Sequence, residues 1–374
     1  MRIAVNTRLL VSQKLDGIGR FTYESLKELT AKHKEVQFDL YFDRKVEPYF
    51  QFPKNANLIS ISPAARHPIL WYIWLEQRLK NRINKGKYDL FLSPEGWIPS
   101  GINCPSLAVI HDLNFVHFPE NLAYSHRKFM QYYFPKYAHR ASRIATVSEF
   151  SKNDIAQTYH LNPKEIDVLY NGANAFFSPI SEKKQRATLL KHTNGKPYFI
   201  FVGTLVPRKN FYHLLKAFDV FKTQDKKEVQ LLLVGNKKWW PEELEKTYQQ
   251  MKFKAAVHFK GRQEDEVLAE LLASALALTY LPYFEGFGIP ILEAFQSKTA
   301  VITSNCSSMP EIVQDAALLA DPRNVEEIAT QMKKISEDEI LRNQLILKGE
   351  KRVQDFSWKK TANLLWESMM KAMN

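Results

Sequence analysis

Tyr283-Phe-Glu-Gly-Phe-Gly-Ile-Pro-Ile-Leu-Glu-Ala-Phe295 carries two carboxylates, Glu285 and Glu293, on either side of two glycines and a proline. An apolar run, Ala273 to Leu281, precedes it and reads as a buried strand. Gly286 and Gly288 then give a turn, and Pro290 stands where the first helical position should fall. Glu285 is thereby placed on the loop at the carboxyl end of a strand, and Glu293 in the first turn of the following helix. Open α/β sheets bind ligands at that rim, so both carboxylates can face one crevice. Taken alone, the pair has a plainer account: Glu285 is a solvated turn residue and Glu293 a helix-start acid favoured by the dipole. The rest of the chain separates the two readings.

With 374 residues the chain is too long for one ordinary core, and two α/β domains is the natural expectation. A composition of 45% hydrophobic and 25% charged residues is that of a soluble globular protein. Cys104 and Cys306 lie far apart, in no metal or redox spacing, and read as buried or incidental thiols of a reducing compartment. Met1 to Asn6 reads as a first strand without signal-peptide layout, and no apolar run approaches the ~20 residues that span a bilayer. A cytoplasmic protein is expected. The net charge of +12 is uneven: residues 1–188 hold 26 Lys and Arg against 17 Asp and Glu, and residues 189–374 hold 26 against 23. A basic first half points to an anionic partner, either a membrane surface, an acidic acceptor or nucleic acid. No helix-turn-helix, finger or RNA-binding signature accompanies it, so nucleic acid ranks last.

Upstream, Tyr198 to Val202 reads as a strand followed by Gly203-Thr-Leu-Val-Pro-Arg-Lys-Asn210. A strand, a glycine and two adjacent cations before a helix form an anion site, with lysine as a point charge and arginine as a bidentate fork. Val229 to Val234 and Val257 to Gly261 are further strands, followed by the loops Lys237-Lys-Trp-Trp240 and Gly261-Arg-Gln263. Thr299 to Thr303 is the strand after the Glu293 helix, and an amphipathic helix from Lys359 to Met370 closes the chain. In the first half, Asp16-Gly17-Ile-Gly19-Arg20 places two glycines before a helix over Arg20 to Lys32, an arrangement that lets backbone N–H groups approach a phosphate. Strands over Val36–Phe42, Leu58–Ile61, Tyr88–Leu92, Ser106–Ile110, Arg143–Val147 and Ile166–Leu169 follow, and His111 stands at the end of one of them, on the rim. Two helical stretches are both basic and aromatic. One, His67 to Lys87, carries Trp71, Tyr72 and Trp74 among Arg66, Arg78, Arg82 and Lys85; the other runs from Asn121 to Arg140. Such helices can lie on an anionic membrane, although aromatics in this pattern are more often core. Residues 175–196 are polar, show no clear strand and read as a linker.

These residues together resemble the family 4 (group 1) retaining glycosyltransferases of the GT-B fold. The resemblance rests on the E-x7-E of Glu285 and Glu293 with G-F-G-x-P between them, and on G-x-L-x-P-R-K-N at 203–210. It extends to the H-D-x at His111, the V-S-E-F-S at 147–151, and the S-x-P-E and D-A-A-L-L-x-D-P strings at 308–322. It implies two Rossmann-like β/α/β domains facing across a cleft. Residues 1–174 would bind the acceptor, 175–196 link, 197–355 bind the nucleotide sugar, and 356–374 form a C-terminal helix crossing back to the first domain. It further implies that Lys209 and Arg208 hold the donor diphosphate with the Gly17–Gly19 backbone. Glu293 would hold the ribose and Glu285 the donor sugar, and His111 would contact the reaction centre. Gly203, Gly286, Phe287 and Gly288 would shape the donor site, and Arg262 would line the base pocket. The chain departs from the pattern at three places. Asn174 stands where Asp is usual, Arg208 where many members have Glu, and Gln314 where glycine is usual.

The implied reaction moves a hexose from a nucleotide-diphosphate sugar to a glycan or lipid-linked acceptor with retention at the anomeric carbon. The R-K-N variant and the later S-S-x-P-E lean toward GDP-mannose. No D-x-D occurs, so no metal is expected to bridge the diphosphate. Two rival readings stand beside it. One is a GT-B phosphorylase or nucleotide-sugar epimerase; the other is a non-catalytic nucleotide-sugar-binding protein, since fold does not fix activity.

Overall fold

The computed structural model describes residues 1–11, 15–65, 67–174, 176–237 and 240–374; Arg66, Lys238 and Trp239 of the sequence reading fall outside them. The chain forms two compact units, Met1–Gly172 with Ser357–Asn374, and Ala173–Phe356.

The first unit is built on seven strands, β1 (Arg2–Asn6), β2 (Gln37–Phe42), β3 (Ala56–Ser60), β4 (Leu90–Ser93), β5 (Ser106–Val109), β6 (Arg143–Thr146) and β7 (Ile166–Val168). They pair in the order β3-β2-β1-β4-β5-β6-β7, parallel throughout. Helices cover both faces of such a sheet, so its inner strands are apolar without alternation; all four residues of β4 and of β5 are buried. The chain changes direction across the sheet between β1 and β4. The carboxyl ends of those strands, Asn6 and Ser93, therefore flank the switch point where open sheets carry their sites.

The helix expected from Arg20 begins at Gly17 and runs to Lys32, because the Asp16 carboxylate caps it by accepting the Gly19 N–H at 2.9 Å. Both glycines thus lie inside the first turn, not on a loop before it. The helix Trp358–Met373 belongs to this unit and packs on Gly17–Lys32, so the chain end returns to the first domain as the resemblance implies. Asp167 on β7 anchors it, accepting from Ser368 Oγ at 2.7 Å and Lys371 Nζ at 3.1 Å while also pairing with Arg143.

The first basic-aromatic stretch buries Trp71 and Trp74 with Leu75 and Leu79 in the core, while Tyr72 and the cations Arg78, Arg82 and Lys85 are exposed. The second, Tyr124–Arg140, buries Phe134 and Tyr137 but leaves Tyr124 and Tyr132 largely exposed, with Lys136 Nζ 3.4 Å above the Tyr132 ring.

The second unit has six parallel strands, β8 (Tyr198–Val202), β9 (Gln230–Val234), β10 (Val257–Gly261), β11 (Ala277–Tyr280), β12 (Ala300–Ser304) and β13 (Leu318–Ala320), in the order β10-β9-β8-β11-β12-β13. Its switch point lies between β8 and β11. The apolar run from Ala273 is not one strand. Its first residue ends the helix Asp265–Ala273, and β11 starts only at Ala277. Both elements face the core there, so hydrophobicity does not mark the boundary. The residues read as a linker hold a helix, Glu182–Thr193, capped by Ser181, whose Gln185 side chain donates to the Ala273 carbonyl at 3.1 Å.

Candidate active site

In the second unit the site is assembled from the loops that leave the carboxyl ends of β8 and β11. Beyond β8 the chain turns at Gly203, whose N–H donates to Val234 O at 2.9 Å, and Gly235 repeats this toward Gly261 O at 2.8 Å. The two glycines nearly touch. A Cβ on Gly235 would lie 1.8 Å from Gly203 O, and both residues sit at positive φ. This stitched edge fixes the take-off of Thr204–Asn210.

Pro207–Lys209 forms a single tight turn, and Asn210, at φ 63°, caps the helix Phe211–Lys222 while its amide donates to Pro322 O at 2.6 Å. The loop after β11 is tied to that turn by the Tyr283 N–H, which donates to Arg208 O at 2.9 Å. The Tyr283 hydroxyl meets His213 Nδ1 at 2.5 Å, and His213 in turn contacts the capping Asn210.

These bonds bring Arg208, Lys209 and Glu285 into one cluster. Arg208 and Lys209 both pair with the Glu285 carboxylate; Arg208 also donates to Phe284 O at 3.0 Å, and Lys209 to the Tyr280 hydroxyl. Ser308 Oγ holds the Glu285 carbonyl at 2.8 Å. Burial alone would push the Glu285 carboxyl up, but the two cations overcome it and hold it below the usual carboxylate range. Glu285 is therefore buried and ionised, and the solvated-turn account of it fails. The cations are not freely exposed either, with 18% and 11% of their side-chain surface accessible.

Gly288, at φ 95°, caps the helix Ile289–Gln296, which puts Pro290 second and Glu293 fifth. Glu293 is thus one residue further in than expected, just past the first turn, and it is buried, so the account of it as a solvated helix-start acid does not apply. Phe287 is buried with its ring edge-on to Phe356, and Gly286 lies between it and Glu285. Arg262 is exposed on the loop after β10.

In the first unit, His111 follows β5. Its Nε2 lies 2.9 Å from Pro94 O and its ring is edge-on to Phe21 at 4.8 Å. Burial pushes its pKa down, so the imidazole is neutral near pH 7. Ser151, at the start of the helix that Ser148 caps, donates to His111 O at 3.2 Å. Asp112 binds Asn114 and shapes the turn. Gly19 is buried, and a Cβ there would stand 2.9 Å from Leu15 Cδ2.

The sequence reading missed Glu95. It sits just past β4 at the switch point, 8% exposed, accepting from Asn6 Nδ2 at 2.7 Å and Arg8 Nε at 3.0 Å, and Arg8 lies over the Trp71 ring at 4.4 Å. An acid directly after an inner parallel strand, in Ser93-Pro-Glu95-Gly96, was the available signal, the same one that marks Glu285. Among the described residues no group of three or more His, Cys, Asp or Glu is placed to hold a metal ion.

Two family models divide the chain. Residues 15–175 match Glycosyltransferase Family 4 and residues 181–352 match Glycosyl transferases group 1. The chain belongs to this glycosyltransferase family. It is 26% identical over 362 residues to O-antigen chain mannosyltransferase B of Escherichia coli, covering 93% of this chain and 94% of that one. Among solved structures it is similar to the sucrose-phosphate synthase of Thermosynechococcus elongatus, with a TM-score of 0.78 at 20% identity over 98% and 97% of the two chains. It is also similar to Alr3699/HepE of Anabaena in complex with UDP and glucose, with a TM-score of 0.77 at 16% identity over 99% of each. The glycosyltransferase has two Rossmann-like α/β units in the manner of the GT-B fold, and it is an enzyme that transfers a sugar.

Proposed function

We propose that this glycosyltransferase moves mannose from GDP-mannose to a glycan or lipid-linked acceptor, with retention and without a metal ion. The observation that carries this is the Arg208–Lys209–Glu285 cluster at the switch point of the second unit. When the bond from C1 of the sugar to the β-phosphate oxygen breaks, negative charge grows on the leaving diphosphate. A diphosphate competes with Glu285 for the two cations and gives them a second acceptor. The charge that a metal would carry is then met by fixed side chains. Glu285, released in part, accepts from donor-sugar hydroxyls, and Glu293 from the ribose. The acceptor oxygen attacks C1 from the face the diphosphate leaves, and its proton passes to the departing phosphate oxygen. Atoms balance without a protein nucleophile. His111, neutral, is assigned the contact with the donor sugar at the reaction centre that the resemblance implies.

Mannose rests on the similarity to the E. coli mannosyltransferase and on the R-K-N loop. A nucleotide-sugar donor also agrees with the UDP and glucose bound by the Anabaena protein. We place the enzyme in the cytoplasm, at an anionic membrane surface. No helix among the described residues is long and apolar enough to cross a membrane.

Incubation of the protein with GDP-mannose, UDP-glucose and UDP-galactose in EDTA, with thermal shift against the parent diphosphates, tests the reading. GDP should shift the melting temperature most, a ligand at ~100 times its Kd adding about 2.7 kcal/mol. NMR of the product should show the anomeric configuration of the donor. Loss of turnover in EDTA refutes the metal-free route, and a UDP-selective shift refutes GDP-mannose.

A further inference from the structure

A groove of about 560 Å³ opens at the β3 edge of the first unit's sheet, with Arg78, Arg82 and Lys85 on one wall and Ser60, Ser62 and Asn81 completing its polar lining. Its charged lining is wholly cationic, and all three cations are exposed to solvent. The groove arises from how the helical tract 68–86 is built. Between Trp74 and Leu79 the backbone takes a π-turn, which brings residues five apart onto one side. Trp74 and Leu79 are both fully buried, and the Trp74 indole N–H donates to Ile61 O at 2.9 Å, drawing the chain just past β3 inward. Ser60 and Ser62, on either side of Ile61, are left facing the cations across the opening.

No carboxylate lines this groove among the described residues. Asp39, on the neighbouring strand β2, already accepts from Arg2, Asn57 and Tyr88, and the Tyr88 oxygen accepts from the Tyr41 hydroxyl at 2.6 Å. The plainer account is that these cations guard an edge strand from pairing with another chain. A guard needs charge along the edge only. It gives no reason for a cavity of this volume furnished with hydroxyl and amide groups.

We infer that this groove binds a phosphate or diphosphate group. Two guanidinium forks and an ammonium supply the bidentate and point-charge contacts that phosphate oxygens take, and Ser60, Ser62 and Asn81 supply neutral hydrogen bonds. In the proposed function the group belongs to the acceptor, as a phosphorylated glycan carrier or as the headgroup of the lipid surface on which that carrier sits. The inference therefore deepens the acceptor half of that reading and stands apart from its donor half.

Titration calorimetry with inorganic pyrophosphate at low ionic strength, where charge contacts are least screened, tests it. The wild type should show two sites. Arg78→Gln/Arg82→Gln should weaken one at least tenfold at an unchanged melting temperature, and Lys209→Met should weaken only the other. A single site that depends on Lys209 overturns the groove. A single site that depends on Arg78 and Arg82 overturns the donor reading and leaves the groove standing. Flotation with phosphatidylglycerol vesicles then names the source. Binding that excess pyrophosphate displaces, and that the double variant loses, assigns the phosphate to a lipid headgroup. Pyrophosphate binding without flotation assigns it to a soluble phosphorylated acceptor. Flotation indifferent to pyrophosphate and to both arginines overturns the proposal.

Discussion

Lys209 and Arg208 stand on a tight turn, and from the sequence their removal looks harmless to the fold. The structure argues otherwise, because both neutralise a buried, ionised Glu285. Taking both cations leaves an uncompensated buried charge, which typically costs about 3–5 kcal/mol, whereas taking Lys209 alone leaves Arg208 paired with the carboxylate. Lys209→Ala should therefore lower activity by about a hundredfold or more through the lost diphosphate contact, at a modest loss of stability. Arg208→Ala/Lys209→Ala should be far less stable in urea unfolding than either single variant, and adding Glu285→Gln should recover much of that loss and none of the turnover. If the triple variant is no more stable than the double, the ion pair does not govern this site. The members of the cluster were legible because each sits in a short string with its own chemistry. That they neutralise one another was not, since Arg208 and Glu285 are 77 residues apart. Glu95 escaped notice for a similar reason: its partner Asn6 lies 89 residues away, and only the sheet brings β1 and β4 side by side.

Element boundaries follow the same logic. Strand positions in both halves were readable because inner parallel strands are continuous apolar runs. Capping residues, by contrast, moved the helix starts. Asp16 and Gly288 each open a helix earlier than the apolar pattern does, which brings Gly17 inside one and carries Glu293 past the first turn of another. The helix inside the stretch read as a linker left no apolar pattern, because Glu182–Thr193 is polar on most of its surface and buries little besides Thr188 and Thr193. The edge of β8 and β9 makes a sharper demand than any sequence pattern. Gly203→Ala would meet only Phe201 at 3.4 Å, so its cost is that of an L residue at φ 143°, roughly 1–3 kcal/mol. Gly235→Ala adds a backbone clash to a similar strain and must prise the two strand ends apart. It should be clearly the more destabilising in urea titration, and it should also displace the Arg208–Lys209 turn and weaken diphosphate binding. Equal stability of the two variants would mean that the close approach of these glycines is not held in solution.

At the scale of the whole molecule, pH acts mainly through histidines that the fold keeps neutral. His111, His192, His213 and His258 all have lowered pKa values, in each case chiefly through burial, with Lys260 adding to the effect at His192 and His258 and Lys216 and Arg323 at His213. A histidine whose folded pKa lies below its unfolded value of about 6.5 binds its proton more readily once unfolded. Stability should then be level above pH 7 and fall as pH drops below about 6.5, because unfolding takes up protons there. Asp167 acts lower on the scale and with its own partners. Although burial opposes ionisation, Arg143, Ser368 and Lys371 hold its pKa well below the usual carboxylate range. Its contribution is complete above the unfolded value near 3.9 and is lost as pH falls below that, loosening the C-terminal helix from β7. Melting followed by circular dichroism from pH 8 to pH 3 should thus show a decline beginning near pH 6.5 and steepening below pH 4. Asp167→Asn should remove part of the steep lower limb while leaving the histidine limb in place. A melting temperature that holds steady or rises between pH 7 and pH 5.5 would show that these imidazoles are free to charge in the folded protein, and that the burial assigned to His111 is not what solution samples.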